Sequence, residues 1–138
     1  MSQASGRSIG GNSGIGLGIL DGRLAPCPNN PNCVSSQTAA SDKQHYIEAL
    51  TYSDEPAQAR EQLDRDIAGM KRARVVMREA NYRRVEFTSA LWRFVDDVEF
   101  LFDDNARRID IRSASRVGYS DLGVNRRRIG EIRNRFSG

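Results

Sequence analysis

The sequence predicts an α+β domain, an antiparallel sheet of about five strands with two helices on one face, in the order β-α-β-β-β-β-α. Three observations carry that expectation. Apolar residues alternate with a period of two in several short stretches, two other stretches carry the helical period, and short turn-forming segments join neighbouring strands. A sheet with one apolar face needs a covering layer, which the two amphipathic stretches supply.

The chain has 138 residues, the length of one ordinary domain, and its apolar residues concentrate after Tyr46. Residues 1–21 are rich in Gly and Ser, and their apolar side chains cluster only between Ile15 and Leu20. A flexible arm is expected there. Residues 22–138 are expected to fold as a single domain, with 22–44 docking on the body as a loop. Pro26, Pro28 and Pro31, with Cys27 and Cys33, stiffen the backbone up to Ser36 and predict an ordered loop that is neither helix nor strand.

His45 to Tyr52 alternates as a strand. Ser53 or Asp54 followed by Glu55 and Pro56 is a helix start, and Ala59, Leu63, Ile67 and Met70 make one apolar stripe, with Gly69 at the end of the helix. Residues 73–79 and 82–89 read as strands across an Ala80-Asn81 turn, and 94–102 and 107–115 as a second hairpin across Asp103 to Ala106. Counting outward from that turn sets Phe102 opposite Arg107, Phe100 opposite Ile109, Val98 opposite Ile111 and Asp97 opposite Arg112. Phe94, Asp96, Val98, Phe100, Phe102, Ile109 and Ile111 then share the face beneath the helices. Asp97, Glu99, Asp110 and Arg112 fall on the other, with Arg112 paired directly to Asp97 and diagonally to Glu99. Ser120 or Asp121 caps a last helix whose Leu122, Ile129, Ile132 and Phe136 share one face, with arginines on the other. The arrangement resembles half of a TATA-box-binding protein, a likeness that carries no function.

The net charge of +3 conceals a gradient, with 7 acidic and 3 basic side chains in residues 41–70 against 5 acidic and 9 basic in residues 101–138. No stretch approaches the roughly 18 apolar residues that span a bilayer, and the first residues lack a basic and leucine-rich leader. The chain as given is therefore expected in the cytoplasm, with export or a plastid location as the alternative for a chain whose leader has been removed.

Three stretches, LAPCPNNPNCVSS (24–36), RFVDDVEF (93–100) and IRSASRVGYSDLGVNRRRI (111–129), resemble in order the hallmarks of the family known as domain of unknown function 1499. The resemblance covers about residues 22–136. It implies no activity, because the family has no established catalytic or binding residues to carry over. The resemblance implies members in bacteria and plant plastids, many with an N-terminal membrane or targeting segment, which is not expected from the residues of this sequence.

Gly10, Gly14 and Gly16 imitate the phosphate loop of short-chain dehydrogenases, but no apolar strand precedes them and a proline-rich loop follows. No cofactor is expected. Cys27 and Cys33, even with the sole histidine, His45, fall short of the four ligands of a structural zinc site, so no metal is expected. A disulfide and a reduced, docked pair both remain open for the two thiols.

Asp96, Asp97 and Glu99 are the candidate acids. Alternation puts Asp96 on the apolar face, where a carboxylate must be paired, hydrogen-bonded or protonated. Acceptance of hydrogen bonds from a loop, Ser113 or an arginine is one reading, and a functional acid is the other. Arg112, Ser113, Ser115, Arg116, Tyr119, Asn125 and Arg126 gather where the last strand turns into the last helix. They are the candidate ligand-binding residues, for an anion at a helix N-terminus, or else a hydrogen-bonded corner capped by Asp121. Arg126, Arg127, Arg128, Arg133 and Arg135 lack the aromatic interleaving of a nucleic-acid site, which disfavours that partner. The sequence thus points first to a non-enzymatic binding or assembly module for a protein partner or small anionic ligand. The alternative is a small hydrolase-like enzyme built on Asp96, Asp97 and Glu99.

Overall fold

The computed structural model describes residues 16–118 and 121–138. Its elements run β1 (Ile19–Leu20), β2 (Arg23–Leu24), β3 (Cys33–Ser35), β4 (Leu50–Thr51), α1 (Pro56–Ala68), β5 (Ala73–Glu79), β6 (Tyr82–Thr88), β7 (Val95–Asp103), β8 (Arg108–Ser115) and α2 (Val124–Ser137). The class is α+β. β3 to β8 form a six-stranded antiparallel sheet in the order β3-β8-β7-β6-β5, with β4 also paired to β8, while β1 and β2 make a separate ribbon.

The edge of the sheet beside β8 is where the strand assignments read from sequence need correction. Cys33–Ser35, expected as loop, is a strand that pairs with Ala114 to Arg112. The edge of β8 offers backbone groups that must be satisfied, and three residues beyond the last proline are enough to take them. With that stretch occupied, the strand expected over His45 to Tyr52 shrinks to Leu50–Thr51 on Ile109 and Arg108, plus a lone parallel bridge from Tyr46 to Ser35.

α1 begins at Pro56, whose fixed φ suits the first helical position, so Glu55 and not Ser53 or Asp54 occupies the capping position. Ala59, Leu63 and Ile67 are its buried face, and the Gly69 N–H donates to the Arg65 and Asp66 carbonyls at its end. In α2, Ile129, Ile132 and Phe136 are buried as expected. Leu122 is not part of that face, because the helix starts two residues later and Leu122 lies exposed in the preceding turn.

The β7–β8 hairpin has its turn two residues further along in register than the count from sequence. Asp103 remains in the strand opposite Arg108, and the turn comprises Asp104 to Arg107. The Asp103 carboxylate accepts the Ala106 N–H at 3.1 Å, and Arg107 closes the turn in the left-handed region at φ 51°. Phe102 therefore faces Ile109, Phe100 faces Ile111, Val98 faces Ser113 and Glu99 faces Arg112. A shift of two preserves which face each side chain occupies but changes every partner. Phe94 lies outside the strand, 53% exposed, and is not in the core.

Both helices cover one face of the sheet. Val85, Phe87, Val98, Phe100, Phe102, Ile109 and Ile111 meet Leu63, Ile67, Ile129, Ile132 and Phe136 in one cluster. Each such side chain contributes about 1.5–3 kcal/mol by leaving water. No helix among the described residues is long and apolar enough to cross a membrane.

Candidate functional site

The opposite face is also largely buried, by a strap formed by residues 16–32. Leu24 packs with Tyr82 and Leu101, and Ile19 and Met77 close over them. The strap is pinned to the sheet edge by a disulfide between Cys27 and Cys33, with the Cα atoms 5.7 Å apart. Of the residues expected as an arm, 16–21 thus contact the body, while Gly10 and Gly14 lie outside the described residues.

Beneath the strap the alternate residues of β6, β7 and β8 bring charge together. Glu99 is fully buried and accepts hydrogen bonds from the Tyr82 hydroxyl at 2.5 Å and the Gly18 N–H at 2.7 Å. Arg112 reaches Glu99 at 3.4 Å and donates to the Pro26 carbonyl at 3.3 Å, so it ties strand, acid and strap together. Burial pushes the Glu99 carboxyl above its usual range, opposed by the Tyr82 hydrogen bond and the Arg112 charge. Burial and the neighbouring carboxylate likewise push the Tyr82 phenol up.

The expected Arg112–Asp97 pair is corrected by the register: Asp97 faces Ala114 and is taken by Arg116. Arg116 grips Asp97 in a fork, Nε to Oδ2 at 2.8 Å and Nη2 to Oδ1 at 2.9 Å, and also reaches Glu86 at 2.6 Å. Burial opposes ionisation of Glu86, but Arg116 and Arg74 outweigh it and hold that carboxyl below its usual range. At the other end of the ladder Asp110 accepts from Arg108, Ser36 and Gln37.

Asp96 lies on the helix side, as alternation predicts, and its partner is an arginine. Arg128 of α2 donates to it at 2.6 Å while lying over the Phe87 ring. The three candidate acids are therefore not brought together: Asp96 is under α2, and Asp97 and Glu99 are on the far face with different partners.

The candidate ligand-binding residues also separate into groups. Ser113 donates to Asn125 at 2.5 Å, and the Asn125 amide donates to Ser115, to Asp121 and to the Asn32 carbonyl, making Asn125 the centre of a buried corner. Asp121 caps the turn by accepting the Gly123 and Asn125 N–H groups. Burial works against its ionisation, but these bonds hold it below the usual carboxylate range. Arg126 donates to the carbonyls of Lys43, Gln44 and Tyr46. Arg112 and Arg116 sit on the strap side, and Tyr119 lies outside the described residues. No group of three or more His, Cys, Asp or Glu that could hold a metal occurs among the described residues.

One feature escaped the sequence reading. At the end of the sheet where β6 meets β7, Leu91, Trp92 and Phe94 are 77%, 69% and 53% exposed, and Val117, on the loop leaving β8, is 55% exposed. The Ser89–Phe94 turn is closed, with the Ser89 N–H donating to the Phe94 carbonyl at 2.8 Å and the Phe94 N–H to the Ser89 hydroxyl at 2.9 Å. The Arg116 N–H donates to the Val95 carbonyl and the Thr88 N–H to the Arg72 carbonyl, which brings three loops to this end. Its sequence signal was the run ALWRF, four apolar residues and an arginine at a strand boundary.

A family model described as "Protein of unknown function (DUF1499)" matches residues 23–136, and the chain belongs to that family. No curated protein and no solved structure matches the chain.

Proposed function

We propose that the chain is a non-enzymatic binding module that docks through the loop end carrying Leu91, Trp92, Phe94 and Val117, while its buried carboxylates and the arginines paired with them are scaffold. The observation that supports this most is the exposure of four large apolar side chains on closed or tethered loops at one end. The charged residues speak for scaffold in the same terms. Asp96, Asp97 and Glu99 each accept from an arginine, on two faces of the sheet, with no shared space for a substrate.

A hydrolase would need two of those acids within reach of one reacting group. Functional carboxylates are also commonly held at a cost to stability, so removing them tends to raise the melting temperature. Scaffold carboxylates behave the other way. Asp96→Asn and Asp97→Asn are each expected to destabilise the protein by about 1–3 kcal/mol, the worth of hydrogen bonds to charged groups. Thermal unfolding of the two variants checks this, and an unchanged or raised midpoint in either would return that acid to the list of functional groups.

A further inference from the structure

We infer that the partner of the loop end is an anionic lipid surface, an inference that rests on the docking reading above. Leu91, Trp92, Arg93 and Phe94 are consecutive and all exposed. An arginine set among aromatic and aliphatic side chains matches the bilayer interface, where indole rings and long basic stems place an apolar body in the acyl region and a polar tip among headgroups.

The exposed, unpaired charge around the patch is mostly positive. Lys71, Arg72, Arg93 and Arg127 are exposed and form no ion pair among the described residues. Arg72 is tied to this end by its Nε bond to the Thr88 carbonyl, and Arg127 lies in the first turn of α2, whose Asn125 reaches Ser115 at the end of β8. Three acids nearby are neutralised internally, Glu86 by Arg74 and Arg116, Asp97 by Arg116, and Asp96 by Arg128, while the Asp121 carboxylate accepts the Gly123 and Asn125 N–H groups and stays ionised. What remains facing outward is predominantly apolar and cationic, the two properties that together bind anionic membranes. Arg93 also holds the left-handed backbone at φ 62°, a conformation disfavoured for a side-chain-bearing residue and kept at the tip of a closed turn. The cleft of about 300 Å³ lined by Tyr46, Leu50, Arg133 and Phe136 lies at the opposite end of α2 and takes no part.

Trp92 is the sole tryptophan, so its emission reports on this surface alone. The test adds vesicles of phosphatidylcholine containing one part in three phosphatidylserine, and separately vesicles of phosphatidylcholine alone. A blue shift with the anionic vesicles is expected, with co-sedimentation that weakens as salt rises. Charge reversal in Arg72→Glu/Arg93→Glu should weaken partitioning by about tenfold or more, and Leu91→Ser/Phe94→Ser should abolish it with the fold intact by circular dichroism. Absence of shift and co-sedimentation with anionic vesicles, or equal binding to both compositions, overturns the lipid assignment. A Trp92 shift that instead follows protein concentration as a dimer forms also overturns it, while leaving the docking surface in place.

Discussion

Glu99 and Phe100 are neighbours in β7 and neither exposes any surface, yet they face opposite sides of the sheet and are buried by different means. Phe100 lies under two helices that supply a dry apolar layer. Glu99 lies under the strap, whose Gly18 N–H and Pro26 carbonyl join the polar network around it. The helix layer is stabilised mainly by area removed from water. The strap layer depends on pairing the charges it covers, because an unpaired buried charge costs far more than a lost apolar contact of similar size. Equal burial therefore conceals unequal sensitivity to chemistry.

The largest expected effects break this comparison directly. Phe100→Ala should cost about 3–5 kcal/mol through lost transfer energy and a cavity. Glu99→Ala should cost a similar amount, about 3–5 kcal/mol, by leaving Arg112 buried without its acid. The double variant Glu99→Leu/Arg112→Met should recover most of the second loss and has no counterpart for the first. The two faces also separate by pH. The Glu99 carboxyl is raised in the folded state, so the native protein holds that proton more tightly than the unfolded chain. Its contribution makes stability fall as pH climbs above about 4.3 towards the folded value. Glu86 is depressed, so its contribution is present above about 4.3 and is lost as pH falls through its folded value. Denaturant unfolding between pH 4 and 8 should show that Glu99→Gln removes the first slope, whereas Phe100→Ala leaves the pH profile parallel to the parent. A parallel profile for Glu99→Gln would show that Glu99 does not titrate differently in the folded and unfolded states.

Reduction of the disulfide should act on one face only. Opening a loop this short should cost about 2 kcal/mol on the chain-entropy account. Amide exchange measured with and without reductant should then accelerate in residues 18–24 and at the β3 edge, while α1 exchanges as before. Acceleration of α1 to the same degree would mean that strap and helix layer unfold as one unit.

How far these faces were legible from sequence follows from what each signal encodes. Alternation alone placed Asp96 with Phe100 and Glu99 with Arg112 on opposite faces, because the period of two survives any even slip in register. The pairing did not survive, since nothing in the sequence distinguishes a turn ending at Ala106 from one ending with Arg107 in the left-handed region. The burial of the strap face was hidden for another reason. Polar residues such as Arg84, Glu86, Asp97 and Arg112 read as a solvated face, and the Gly-rich segment that covers part of it has no periodic apolar pattern to announce itself. Tyr82 was assigned to its strand, but its role depends on Glu99, 17 residues away in the chain.

The smallest expected effect bears most directly on the claim that docking belongs to the loop end and that the charges are scaffold. Thermal unfolding of Leu91→Ser/Trp92→Ser, measured beside Asp97→Asn, compares an exposed apolar tip with a forked ion pair. The loop variant should melt within about 0.5 kcal/mol of the parent, or higher, because exposed side chains kept for a partner contribute little to the fold. Asp97→Asn should melt lower. A loop variant that loses more stability than Asp97→Asn would contradict the account, since Leu91 and Trp92 would then hold the sheet together and the carboxylate would be the dispensable, functional group.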